Sequence, residues 1–229
     1  MASKKTVQHD NLKEIESALT KTEQFIEDHQ TKMIYGIGII VLIVVVYLAF
    51  TRFYMKPKEK EALSQMYMAE QYFEKDSFNL ALNGDGNYLG FLDIIDDYSI
   101  TPQAKLARYY AGLSYLYLGQ FDDAIDYLKG FKTKDILLKP VAHGSLGDAY
   151  LEKGEKDKAL NQYEKAISSS DNEMTTPLYL MKAGKLLESM SKMEKALQCY
   201  TKVKEKYPTT TEGRVVDKYI ARVNIALKK

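Results

Sequence analysis

The sequence predicts an all-α protein. It has an N-terminal amphipathic helix and a single transmembrane helix, then a solenoid of stacked helical hairpins with a C-terminal cap helix. Three observations predict this. An uncharged apolar run of 18 residues occupies positions 33–50, a four-position signature recurs downstream at intervals of 35 and 37 residues, and an amphipathic stretch lacking that signature ends the chain. The 229 residues suffice for one helical domain and an anchor. With 45% hydrophobic and 28% charged residues the bulk reads as globular. Lys+Arg 32 against Asp+Glu 31 leaves a net charge of +1 and no strongly basic stretch. The electrostatic footprint of a nucleic-acid binder is therefore missing.

The first element is amphipathic. Leu12, Ile15, Leu19, Thr22 and Ile26 recur at spacings of three and four, with Ala18 and Phe25 beside them, so one helix face is apolar. Fewer than three heptads are available, which favours a surface helix near a membrane over a coiled coil or docking helix. The second element reads MIYGIGIIVLIVVVYLAF between Lys32 and Arg52. At about 1.5 Å per residue it spans about 27 Å, close to the hydrocarbon thickness of a bilayer. Tyr35, Tyr47, Phe53 and Tyr54 suit the aromatic belts at its ends, and Arg52 can reach outward to the headgroups. A cleaved signal peptide does not fit, because six acids precede the run and it closes on bulky Leu48, Phe50 and Phe53. Lys13, Lys21 and Lys32 before the run against Arg52, Lys56, Lys58 and Lys60 after it do not orient the span.

The hairpins come next. A small residue, a large one three later, Ala twelve later and a large one four beyond that occur as Gly112, Tyr115, Ala124, Leu128. They recur as Gly147, Tyr150, Ala159, Tyr163 and as Gly184, Leu187, Ala196, Tyr200. A divergent copy shows Ala69, Tyr72 and Ala81. The small residues let two helices approach closely and the large ones fill the space between them. Gly119 and Gly154 stand between the helices of two copies, where a left-handed residue releases the chain into a tight turn; Asp76 and Ser191 replace them in the others. Pro208 follows the last copy.

This signature resembles the tetratricopeptide repeat (TPR), from about Glu61 to Lys206, with EGRVVDKYIARVNIAL after it as the solvating cap such arrays need. The expected division is an amphipathic segment (1–32), a transmembrane helix (33–54), a linker helix with a divergent first repeat (55–103), three repeats (104–139, 140–176 and 177–208) and a cap helix (209–229). The step from Ala69 to Gly112 is 43 residues, too long for one repeat, and the surplus falls at ALNGDGNYLGF. Gly84, Gly86 and Gly90 are expected to break or stretch the second helix there. No strand precedes them as a nucleotide loop requires, and Asn83, Asp85 and Asn87 lack the closing Glu of a calcium loop, so a structural loop is expected.

The resemblance implies a ligand groove on the concave face made by the first helices. In register, Tyr109, Leu113, Leu116 and Tyr117 line it in the second copy, Asp148 and Glu152 in the third, and Met181, Lys185 and Glu188 in the fourth. Repeats of this kind that clamp a chaperone's terminal carboxylate carry Lys and Asn where Tyr109 and Leu113 stand, so that mode is not expected. An apolar helix or extended peptide, or self-coverage by the linker helix, fits the groove equally well. No catalytic, cofactor or metal site is expected. His9, His29 and His143 are scattered, no nucleophile or phosphate-loop motif appears, Asp96 and Asp97 read as a solvated helix end, and Cys199 as a small core residue.

With YPTTTEGRVVDKYIA at its end, and with GDGNYLGFLDIIDDY, ARYYAGLSYLYLG and SDNEMTTPLYLMKAG within, the whole arrangement resembles the YfgM-type ancillary subunits of the bacterial SecYEG translocon. That resemblance implies an inner-membrane protein with a cytoplasmic N-terminus and a periplasmic repeat domain. It would associate with the translocon and with periplasmic chaperones or unfolded clients. A scaffold for a wall-synthesis, division or secretion assembly is the alternative.

Overall fold

The structure is a computed structural model describing residues 29–228. The amphipathic face expected between Leu12 and Ile26 lies outside the described residues. The chain divides into two units between Pro57 and Lys58. In the first, helix α1 (29–50) leaves every residue from 33 to 50 exposed. It is long and apolar enough to cross a membrane. A π-helical turn follows at Thr51–Met55. The Thr51 hydroxyl donates to the Tyr47 carbonyl at 2.9 Å, competing locally with the regular ladder where the turn widens.

From the junction onward the described chain is helical: α2 (Lys56–Glu74), α3 (Phe78–Asn83), α4 (Phe91–Asp97), α5 (Pro102–Tyr117), α6 (Phe121–Gly130), α7 (Leu138–Glu152), α8 (Lys156–Ser169), α9 (Thr176–Ser189), α10 (Met193–Lys206), α11 (Thr211–Val215) and α12 (Asp217–Leu227). Helices α5 and α6, α7 and α8, and α9 and α10 form three antiparallel hairpins, and each second helix also packs on the next first helix. The repeating glycines explain the closeness. A Cβ added at Gly112 would sit 2.7 Å from Leu128 Cγ, one at Gly147 would sit 2.6 Å from Tyr163 Cε1, and one at Gly184 would run into the Tyr200 ring. The same three large side chains occupy the fourth position of the sequence signature. Between the helices of each hairpin the backbone turns through a left-handed residue, Gly119 and Gly154 at φ 75° and 78° and Ser191 at φ 57°. Asp76, at φ 56°, does the same after α2.

The first copy departs from this plan. Ala62, Met66 and Ala69, spaced four and three apart, bury one face of α2 against Ala81, Leu82, Phe91 and the Ala104, Ala107 and Ala111 face of α5. The second helix is broken into α3 and α4 by a loop at residues 84–90, as the glycines there predict. Asp85 organises that loop. Its Oδ1 accepts from the Asn87 and Tyr88 amides at 2.9 and 2.8 Å, and its Oδ2 accepts from the Tyr72 hydroxyl at 2.8 Å. The Tyr72 bond and then the two amides hold this carboxyl below its ordinary range. Thr101 then starts α5 cleanly, accepting from the Ala104 amide with Pro102 at the first helical position.

The C-terminal cap, expected as one helix, is two. Thr210 caps α11 by accepting from the Gly213 amide, and α11 gives way to α12 at Val216, which is fully buried beside Tyr200, Val203 and Val223. Val216 and Val223 seat together in the core against α10.

Candidate functional site

The residues expected in the groove separate into three groups. Leu116, Tyr117, Asp148 and Glu152 come together and line one cleft of about 510 Å³ with Gly119, Phe121, Leu151 and Lys182. It is built from the C-terminal ends of first helices α5 and α7, the turn after α5, the first residue of α6, and one side chain of α9. Tyr117 is 62% exposed and stacks on Phe78 with ring centroids 4.8 Å apart.

Tyr109 and Leu113 form the second group, and they are buried at 6% and 8% exposure. The Tyr109 ring meets Phe131 at 5.2 Å and Tyr110 at 5.5 Å, and burial pushes its phenol up to about 12. The first-helix face is closed at that level because α7 carries Gly144 there. A Cβ on Gly144 would overlap the ring of Tyr179 from α9, which occupies the space a side chain would need. Phe73 at the end of α2 also reaches Tyr110, at 5.1 Å, so the linker helix supplies part of the cover.

Met181 and Lys185 make up the third group, at the other end of the array. Met181 is buried in one cluster with Val216 and Val223 of the cap, and the Lys185 ammonium lies 5.3 Å from the Tyr219 ring centroid. The cap thus covers the first-helix face of the last copy.

Two linked carboxylates tie the copies together, and the sequence showed only half of each. Asp148 accepts the Tyr163 hydroxyl at 2.7 Å from its own hairpin and pairs with Lys182, 34 residues on, at 2.7 Å. Glu188 accepts the Tyr200 hydroxyl at 2.5 Å and a two-pronged contact from Arg222, again 34 residues on, at 2.9 and 2.7 Å. Burial alone would raise the Glu188 carboxyl, but the bonds from Arg222 and Tyr200 outweigh it and hold it low. Burial and then Asp148 push the Tyr163 phenol far up. Lys182, Leu151 and Phe121 were not anticipated; the 34-residue step from Asp148 to Lys182 was the available signal for the first.

What remains open to a partner in the cleft is apolar surface from Leu116, Tyr117, Phe121 and Leu151, with exposed Glu152 at its edge. Among the described residues no group of three or more His, Cys, Asp or Glu stands ready for a metal ion. Cys199 is half-buried between core clusters, and burial raises its thiol.

Comparison with known proteins agrees with this architecture. Residues 109–173 and 179–210 each match a family model described as tetratricopeptide repeat. Two solved structures of nearly identical TPR-like repeats from Podosopora anserina, one of them a single-substitution variant, superpose with a TM-score of 0.57 at 12% identity. Each alignment covers 74% of this chain and 88% of the other, which establishes a shared fold. No curated protein matches the chain.

Proposed function

Proceeding from tetratricopeptide repeats set behind one apolar helix, we propose that this protein is a single-pass membrane-anchored adaptor that binds other proteins through its first-helix cleft. Repeats of this type are typically non-catalytic scaffolds that hold protein partners. The observation that carries the proposal is the apolar surface offered by exposed Tyr117 beside half-buried Leu116. It persists at a stretch of the first-helix face that neither Tyr179 nor the cap covers. Apolar surface left open on a repeat array is a place for a partner's side chains.

The anchor reading rests on residues 33–50, all uncharged and all exposed. Leaving such side chains in water forgoes roughly 1.5–3 kcal/mol for each large one, which a bilayer supplies. The finer assignment is an ancillary translocon subunit with a cytoplasmic N-terminus and periplasmic repeats, linking export to periplasmic chaperones or unfolded clients. Its support is the sequence resemblance to YfgM-type proteins.

The test is capture of the tagged full chain from detergent-solubilised membranes, run beside a Tyr117→Glu variant. Recovery of translocon subunits, reduced about tenfold or more by the substitution, is the expected result. Wall-synthesis or division enzymes without translocon subunits would replace the finer assignment with the scaffold alternative. Equal recovery by both chains would remove the cleft from the proposal. Protease added to intact spheroplasts should degrade the repeats, and their protection would reverse the orientation.

A further inference from the structure

The three regular hairpins differ in one respect. Second helices α8 and α10 are each 14 residues long, whereas α6 has 10. Helix α6 stops at Gly130, and Phe131 turns extended at φ −80°, ψ 122°. The last turn is replaced by an irregular segment at residues 131–137. The space that turn would fill stays open as a cleft of about 510 Å³ between second helices α6 and α8, floored by α7. It lies away from the first-helix cleft: His143 here and Asp148 there are five residues apart, about 140° around α7.

The lining has two characters. Leu128, Ala142 and Leu146 are buried and, with half-buried Phe131, form an apolar floor. Lys129 from α6, Lys132 from the segment after it, Lys139 from α7 and Lys165 from α8 stand exposed around it, and no acid lines it. None of these four lysines forms an ion pair among the described residues, although the chain as a whole is near neutral. His143 and Gln162 add a polar pair, 3.1 Å apart.

We propose that this cleft is a second binding site, for an acidic peptide segment that inserts a large apolar side chain onto the Leu128–Leu146 floor while its carboxylates meet the lysine rim. Charge complementarity selects the sign of the ligand. The enclosed apolar floor selects a peptide over a lipid surface, because it accepts one or two side chains and offers a headgroup nothing. Burial, with Lys165 and Lys139 nearby, holds His143 below its ordinary value and outweighs the bond to Gln162, so near neutral pH the imidazole is uncharged and the lysines carry the field.

The experiment uses the full chain in zwitterionic nanodiscs and a fluorescent peptide of repeated Glu-Leu-Asp-Phe, read by anisotropy. Saturable binding is expected, weakening with added salt and falling about tenfold or more in the Lys132→Glu/Lys165→Glu double variant. The same peptide with Lys in place of its acids should not bind. All four lysines are exposed, so far-UV circular dichroism of the variant should match the parent. Acidic-peptide binding that survives the double reversal, or no saturable binding, overturns the proposal. So does binding of phosphatidylglycerol vesicles, abolished by the reversal, when the peptide does not bind; that result gives the site to a lipid surface. Leu116 and Tyr117 do not line this cleft, so failure here leaves the first-helix proposal standing.

Discussion

The first copy and the three that follow solve the same packing problem by different means. In the regular copies a glycine on the first helix admits one large side chain from the second: Gly112 with Leu128, Gly147 with Tyr163, Gly184 with Tyr200. In the first copy the corresponding helix carries Ala69, and its second helix is split into α3 and α4. The close approach there is backbone on backbone, since a Cβ on Gly90 would collide with the Leu82 carbonyl oxygen and the Gly84 amide. The regular contact is made by a side chain in the core, whereas the irregular one, also buried at Leu82 and Gly90, closes a loop whose tip at residues 85–88 is exposed and which Asp85 stitches together. Periodic copies therefore depend on side-chain fit, and the first copy depends on a local turn.

Breaking each contact in turn sharpens that difference. Gly147→Val should produce the largest effect, a loss of about 3 kcal/mol, because Tyr163 is fully buried, held to Asp148 and cannot withdraw. The urea midpoint of the full chain in detergent, followed by circular dichroism, measures it. Gly90→Ala should cost about 2 kcal/mol, the usual penalty for forcing a methyl into a filled site, since the exposed loop tip at residues 85–88 can shift while α5 and the later hairpins stay packed. If Gly90→Ala proved the more damaging, the contrast between core fit and local turn would be wrong.

The contacts that repeat inside one hairpin were legible in the sequence. Gly and its large partner are 16 residues apart in each regular copy, and the left-handed turn falls seven beyond the glycine, so periodicity alone exposes both. The broken second helix was visible as three glycines in seven residues. What escaped lies between copies. Register aims Tyr109, Leu113 and Met181 toward the first-helix face, but it does not say that Tyr179 will fill the gap over Gly144 or that the cap will cover the last copy. Asp148 and Glu188 read as open acids until Lys182 arrives from the next first helix and Arg222 from the cap. The lysine-rimmed cleft was hidden for another reason: it follows from four residues that α6 lacks, and a missing turn leaves no motif.

The smallest effect tests the turns themselves. Ser191 adopts φ 57° where two sister copies place glycine at φ 75° and 78°. A left-handed residue with a Cβ costs roughly 1–2 kcal/mol, and glycine escapes that strain. Glycine also gives the unfolded chain more freedom, which takes back roughly 0.5–1 kcal/mol. Ser191→Gly should therefore stabilise the repeats by about 0.5–1 kcal/mol, read as a higher urea midpoint with an unchanged slope. The reciprocal Gly154→Ala should destabilise by a similar amount, because nothing lies within 4 Å of a Cβ there and only the backbone conformation is penalised. Asp76, left-handed in the first copy, offers the control. If Asp76→Gly gave the same gain as Ser191→Gly, the turns would be equivalent in all four copies, and the irregularity of the first would reside wholly in the loop at residues 84–90.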